Sequence, residues 1–252
     1  MSMLPIVLHI PHSSRVIPDS CLSDILLTSS ELDQELLLMT DAYTEEVAAG
    51  DWAHAIIAPF SRLVVDVERF RDDNQESMSK VGMGAVYEKT QNGHKLRNLS
   101  HHKRENMMQT YYDPHHADFF RIVTSVLAKH AHCLILDIHS FPSKPLRCES
   151  CQSSDRPEIC IGSDPFHTPK HLVDTALTFF VEKGYSVSEN SPFSGSIVPL
   201  EYYAQNRCVQ SIMIEINRSL IMDECTGERK NSAVNIFKLF PTLVHQLLIC
   251  QS

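Results

Sequence analysis

Leu134-Ile135-Leu136-Asp137-Ile138-His139-Ser140 is an apolar run that closes on His-Ser, and Ile6-Val7-Leu8-His9-Ile10-Pro11-His12-Ser13-Ser14 closes the same way. Short unbroken runs of Ile, Leu and Val read as strands buried in a sheet core. A histidine ending such a strand stands at the sheet's carboxyl edge, where open α/β folds collect their ligands. A third run, Ile212-Met213-Ile214-Glu215-Ile216-Asn217-Arg218, sets a glutamate in similar surroundings.

Outward from these strands, helical and strand-like stretches alternate. Ser29-Ser30-Glu31 opens a helix that runs to about Ala49, with serine as its cap. Ala55 to Pro59 and Leu63 to Val67 read as short β segments. Residues 71–98 are polar and aperiodic, as in a lid, a substrate loop or a plain surface excursion. Helical signal spans His101 to His130 with a break at Asp113-Pro114, because the residue before proline avoids the helical region. Ile159 to Gly162 and Tyr185 to Ser188 read as strands, Pro169 to Lys183 and Asn231 to Cys250 as helices. There is no internal repeat and no Gly/Ser or Pro-rich linker. The alternation predicts one domain over 1–252, a three-layer α/β/α sandwich with a mixed, largely parallel sheet.

Composition narrows the function. The 252 residues are 43% hydrophobic and 21% charged, ordinary for a soluble domain. No apolar run approaches the roughly 20 residues of a membrane span, and the first residues lack a signal-peptide pattern, so a cytoplasmic protein is expected. A net charge of −9 argues against nucleic acid. It does not argue against a small anion, which two or three local arginines can hold. Eight cysteines are scattered along the chain. Cys148 and Cys151 have metal-ligand spacing with Cys160 nearby, but a structural zinc usually shows two such pairs. A loop of free thiols is the expectation. Oligomeric state is not specified by any pattern in the chain.

Side chains alternate faces along a strand, so Asp137 shares a face with His139 and can orient a ligand histidine or a water. Glu215 lies between isoleucines, and burial there calls for a partner such as a metal-bound water or an arginine. One His-Ser at a strand end is commonly a satisfied polar cap. Two of them with a strand-end glutamate supply the ligand types of a catalytic zinc site, and so point to a metal hydrolase. The competing class is a metal-binding protein without catalysis, which would have no need of a base such as Glu215.

The ordered set Ile10-Pro11-His12-Ser13-Ser14, Thr40-Asp41-Ala42-Tyr43-Thr44-Glu45, Ser61-Arg62-Leu63-Val64-Val65-Asp66-Val67-Glu68-Arg69, Tyr111-Tyr112-Asp113-Pro114-His115-His116, Leu136-Asp137-Ile138-His139-Ser140 and Ile214-Glu215-Ile216-Asn217-Arg218 resembles the N-formylglutamate amidohydrolase family. Each piece is weak alone, but six in family order are specific, and they cover residues 6–224. The resemblance implies a phosphorylase/hydrolase-like fold akin to the zinc carboxypeptidases and deacylases. It further implies hydrolysis of N-formyl-L-glutamate to formate and L-glutamate, a step of histidine degradation.

By the same resemblance His12 and His139 are zinc ligands and Glu215 is the general base and acid. The carboxypeptidase pattern places a glutamate three residues after the first histidine, where this chain has Arg15. Asp41 or Glu45 must then supply the carboxylate. The two are expected on one helix face, with Asp41 taken as ligand and Glu45 as its support. Arg62, Arg69 and Arg218 are candidates to hold substrate carboxylates; Arg218 equally suits neutralising Glu215's strand. Asp66 would fix one guanidinium, and His116 would touch the substrate or a ligand. The chain departs from the family at Glu68, where asparagine is usual, which sets a negative charge beside Arg69. A deacylase or peptidase for another N-acyl amino acid is therefore the alternative. Zinc suits the ligand types; iron, cobalt or manganese fit them too.

Overall fold

Six strands in the order β2-β1-β3-β6-β4-β5 form the framework of a computed structural model that describes residues 4–50 and 52–249. They are β1 (Ile6–Ile10), β2 (His54–Ile57), β3 (Cys133–Phe141), β4 (Ile159–Gly162), β5 (Val187–Glu189) and β6 (Val209–Asn217). The first four in sheet order are parallel. β4 pairs antiparallel with β6 and parallel with β5. The sheet is therefore mixed and largely parallel, as its continuous apolar strands predict.

Seven α-helices accompany it among the described residues: α1 (Asp19–Leu22), α2 (Ser29–Met39), α3 (His101–Met107), α4 (Asp113–His130), α5 (Lys170–Glu182), α6 (Ala233–Phe237) and α7 (Phe240–Ile249). None is long and apolar enough to cross a membrane. Strand alternation divides the core between two faces. Leu8, Leu136, Ile138, Ile212 and Ile214 pack with Ala176 and Phe180 of α5 and with Leu243 and Leu247 of α7. Val7, Ile135 and Val209 pack with Phe119, Val123 and Val126 of α4. Each fully buried aliphatic side chain contributes roughly 1.5–3 kcal/mol, so β3 and β6, covered on both faces, are the most firmly held strands.

Several elements differ from their expectation. α2 ends at Met39, and Asp41 lies in a turn before a 3₁₀ helix, Thr44–Ala48. Its cap is Thr28, in a capping box with Glu31. Leu63 to Val67 is a chain of turns, with Leu63, Val64 and Val67 all buried. Residues 71–98 are packed inward through Met83, Ala85, Tyr87 and Leu96. The Asp113-Pro114 break is instead a π-helical turn, Met108–Tyr112, which joins α3 to α4 without interruption. Proline there sits just past the junction of the π turn with α4. The last helix is split at residues 238–239, and Cys250 lies outside the described residues.

Candidate metal centre and active site

The face of the sheet that carries Val7 and Ile135 carries the polar residues too. Parallel register sets His9 beside Asp137 and His139 beside Glu215, all near the carboxyl ends of β1, β3 and β6. His12 follows β1 after two residues, and the turn beyond α2 brings Asp41 over the same edge, its backbone N–H donating to the His12 carbonyl.

His12, Asp41 and His139 are buried, and one donor atom from each lies within 4.8 Å of the others. Asp41 Oδ2 is 3.1 Å from His139 Nδ1 and 3.7 Å from His12 Nδ1. His12 Nε2 lies 2.8 Å from Asp66 Oδ1, which assigns the proton to Nε2 and leaves Nδ1 as a lone pair. That buried Nδ1 has no hydrogen-bond partner. An imidazole nitrogen orphaned beside a second imidazole and a carboxylate fits a divalent transition metal.

Around these three, supporting groups fix orientation. His139 Nε2 is 3.0 Å from Glu68 Oε2 and 3.1 Å from Asp137 Oδ1. Arg218 donates to Asp41 Oδ1 at 2.9 Å, to Ser140, and to the Leu38 carbonyl. Burial alone would raise the Asp41 carboxyl, but His12, His139 and Arg218 outweigh it and hold it far below the usual range. Burial likewise opposes ionisation of Asp66, and Arg62, His12 and Arg69 overcome it. For Glu215 burial wins: helped by Asp41 and Glu68 against His139 and Arg218, it pushes the carboxyl up to about 8. Its Oε2 is buried without a partner.

These groups line a cleft of about 600 Å³. Arg62 and Arg69 both face it. Arg62 is clamped by two bonds to Asp66 and one to Tyr87, while Arg69 Nε makes no hydrogen bond. His116 lines the cleft as well, with Nε2 2.8 Å from the Val67 carbonyl and its ring against Tyr112. Burial keeps His116 neutral, at about 4. Gly195, with φ +94, bends the 192–196 loop along one wall.

One expected placement does not hold, and one open choice narrows. Glu45 is exposed and lines a separate small cavity with Ser13 and Arg15, because the end of α2 at Met39 breaks the helix face it would have shared with Asp41. Arg218 is 4% exposed and turns its donors inward, so it braces Asp41 rather than reaching for substrate. Cys148 and Cys151 are free thiols, and no metal-type cluster among the described residues includes them. His9 and Glu68 had no place in the sequence-based site. The only signal for His9 was its alternation with Val7, which acquires meaning once β1 is paired with β3.

A doubly covered, largely parallel sheet with a buried His–Asp–His set that could hold a metal ion and a glutamate at its carboxyl edge is a frame suited to an α/β hydrolase. The family model of N-formylglutamate amidohydrolase matches residues 4–222, and the chain belongs to that family of amidohydrolases. The fold is similar to that of a crystal structure described as N-formylglutamate amidohydrolase from Ralstonia eutropha. The TM-score is 0.85 at 22% identity, over 100% of this chain and 94% of that one. A gene product of Agrobacterium tumefaciens is similar as well, with a TM-score of 0.70 at 19% identity over 98% and 92% of the two chains. No curated protein sequence matches.

Proposed function

We propose that the protein hydrolyses the amide of an N-acyl amino acid with the help of one divalent metal, zinc by ligand type, held by His12, Asp41 and His139. N-formyl-L-glutamate, the substrate in the family's name, is the first candidate, giving formate and L-glutamate. The observation that carries the reading is the pairing of Glu215 with His139 across β6 and β3, which sets an unpartnered carboxylate oxygen beside the donor set.

A metal there would acidify a bound water and polarise the scissile carbonyl. Glu215 takes the proton as water attacks and returns it to the leaving nitrogen. Its raised pKa suits this exchange, since a carboxylate poised near neutrality both accepts and gives up a proton readily. Asp66 and Asp137 hold the two imidazoles in their ligand tautomers, and Arg218 holds Asp41. Arg69, with Arg62 beside it, anchors the substrate carboxylate at the cleft wall.

A second reading, favoured by the cleft itself, changes the substrate. About 600 Å³ is room for a drug-sized ligand, and Phe141, Phe193 and Met213 stand on its wall. These features support an N-acyl amino acid with a larger acyl group. The deciding measurement is formate release from N-formyl-L-glutamate by zinc-loaded protein against a chelated control. Release that depends on zinc is expected. A metal-loaded protein that releases no formate, yet cleaves larger N-acyl amino acids, would replace the first reading with the second.

A further inference from the structure

Behind the His12–Asp41–His139 set lies a second cluster. His9 Nδ1 is 2.9 Å from Asp137 Oδ1 and 3.5 Å from Glu68 Oε1. Donor atoms of the three residues all lie within 4.8 Å of one another. His9 is wholly enclosed and Asp137 is 1% exposed. Glu68 Oε1, also buried, has no hydrogen-bond partner.

A permanently charged partner is what this cluster lacks. Asp41 pairs with Arg218, and Asp66 with Arg62 and Arg69. Among the described residues, the ion-pair partners of Glu68 and Asp137 are imidazoles alone. If His139 binds the first metal through Nδ1, its ring is neutral and offers a single N–H. That N–H lies between Glu68 Oε2 at 3.0 Å and Asp137 Oδ1 at 3.1 Å. Two buried carboxylates then share one donor from His139 and whatever His9 provides. Such a pair is costly to hold without a cation between its members.

His9 is arranged to coordinate that cation. Its Nε2 lies 3.0 Å from His115 Nε2. In the tautomer in which His115 accepts through that nitrogen, His9 carries its proton on Nε2. A neutral His9 therefore aims the Nδ1 lone pair at Asp137 and Glu68. One ring nitrogen fixed by an outer hydrogen bond and the other turned to carboxylates is the usual posture of a metal-binding histidine.

We propose that His9, Glu68 and Asp137 bind a second divalent transition-metal ion next to the first. The inference rests on the metal reading of the His12 site. A mixed nitrogen and oxygen donor set suits zinc, manganese or cobalt. The ion neutralises Glu68 where that residue borders the cleft, so that an anionic substrate can approach Arg69 without meeting an uncompensated carboxylate. This gives a physical role to the position at which the chain departs from its family.

The test is metal stoichiometry on the full-length protein, stripped with chelator, reloaded with Zn²⁺ and measured by mass spectrometry of the metal. Anomalous diffraction at the zinc edge locates the ions. Wild type should bind two equivalents, with one peak between His9, Glu68 and Asp137. Glu68→Gln should bind one, at His12, and its retained ion reports that the variant is folded. His12→Ala should keep the ion at Glu68. One equivalent in wild type, lost in His12→Ala and kept in Glu68→Gln, would overturn the second site and leave the first standing. Two equivalents unaffected by Glu68→Gln would overturn its placement, and no bound metal would overturn both sites.

Discussion

Glu215 is 6% exposed, and its carboxyl is pushed from 4.5 to about 8 chiefly by burial. The folded state therefore binds more protons than the unfolded state between those two values. In the metal-free protein this group's stabilisation is complete below about 4.5 and is lost as pH rises through about 8. Glu215→Gln should raise metal-free stability by on the order of 5 kcal/mol at pH 9 and leave it unchanged near pH 4. Urea melts at the two pH values read this directly, and an equal gain at both would rule out ionisation as the cause. In the metal-loaded enzyme the same variant should lose about 10²–10⁴-fold in turnover with its metal content intact. Asp66→Ala removes the acceptor that fixes the His12 tautomer and should weaken metal binding by roughly 10–100-fold; calorimetric titration measures it, and unchanged affinity would remove Asp66 from the site. The histidines proposed as ligands and the proposed base Glu215 were legible because each closes or follows an apolar strand. Arg218 was harder, since an arginine three residues past a glutamate reads as a substrate contact as easily as a brace for Asp41. His9 was on view from the start, yet a histidine inside a buried strand looks like core until the strand beside it is known to present Asp137.

At the scale of elements, the five-residue π turn between α3 and α4 does positional work. It precedes the turn of α4 that carries His115 and His116, and it ends at Tyr112, whose hydroxyl donates to the Arg69 carbonyl. Such turns carry an extra residue and recur at functional sites. Deleting the exposed Thr110 should regularise the helix and rotate His115 and His116 by about 100° relative to α3. Helix content by circular dichroism should hold while activity falls at least about tenfold; full activity would show that the register of these histidines is irrelevant. Sequence periodicity revealed the helix on either side but not the π turn, because one added residue barely disturbs an amphipathic pattern. The strands were legible for the opposite reason: runs such as Leu134 to Ile138 have few other homes. Leu63 to Val67 misled by the same logic, since a turn buried among α2, α3 and the 71–98 segment needs apolar residues as much as a strand does. α2 stopped short because the chain turns extended at Thr40, φ −89 and ψ 135, in delivering Asp41, a demand that lies outside helix propensity.

Across the whole molecule, strand edges, two turns and α4 converge on one patch of like-charged carboxylates, so metal should be a principal source of stability. A ligand present at 100 to 1,000 times its dissociation constant adds about 3–4 kcal/mol, which in a chain of this size corresponds to roughly 6–16 °C. Chelation should lower the melting temperature by that much, and added zinc should restore it; a melt insensitive to both would mean that the donor set holds no metal. One consequence follows from the pairing of His139 with Glu215 on neighbouring strands. Adjacent strands lie about 4.8 Å apart whatever their side chains, so the proposed base and a proposed metal ligand are spaced by the backbone ladder and owe nothing to the loops that shape the cleft. Those loops are thus free to diverge, and one reaction can be re-addressed to new substrates by rewriting residues 142–158 and 192–203 alone, in nature or at the bench.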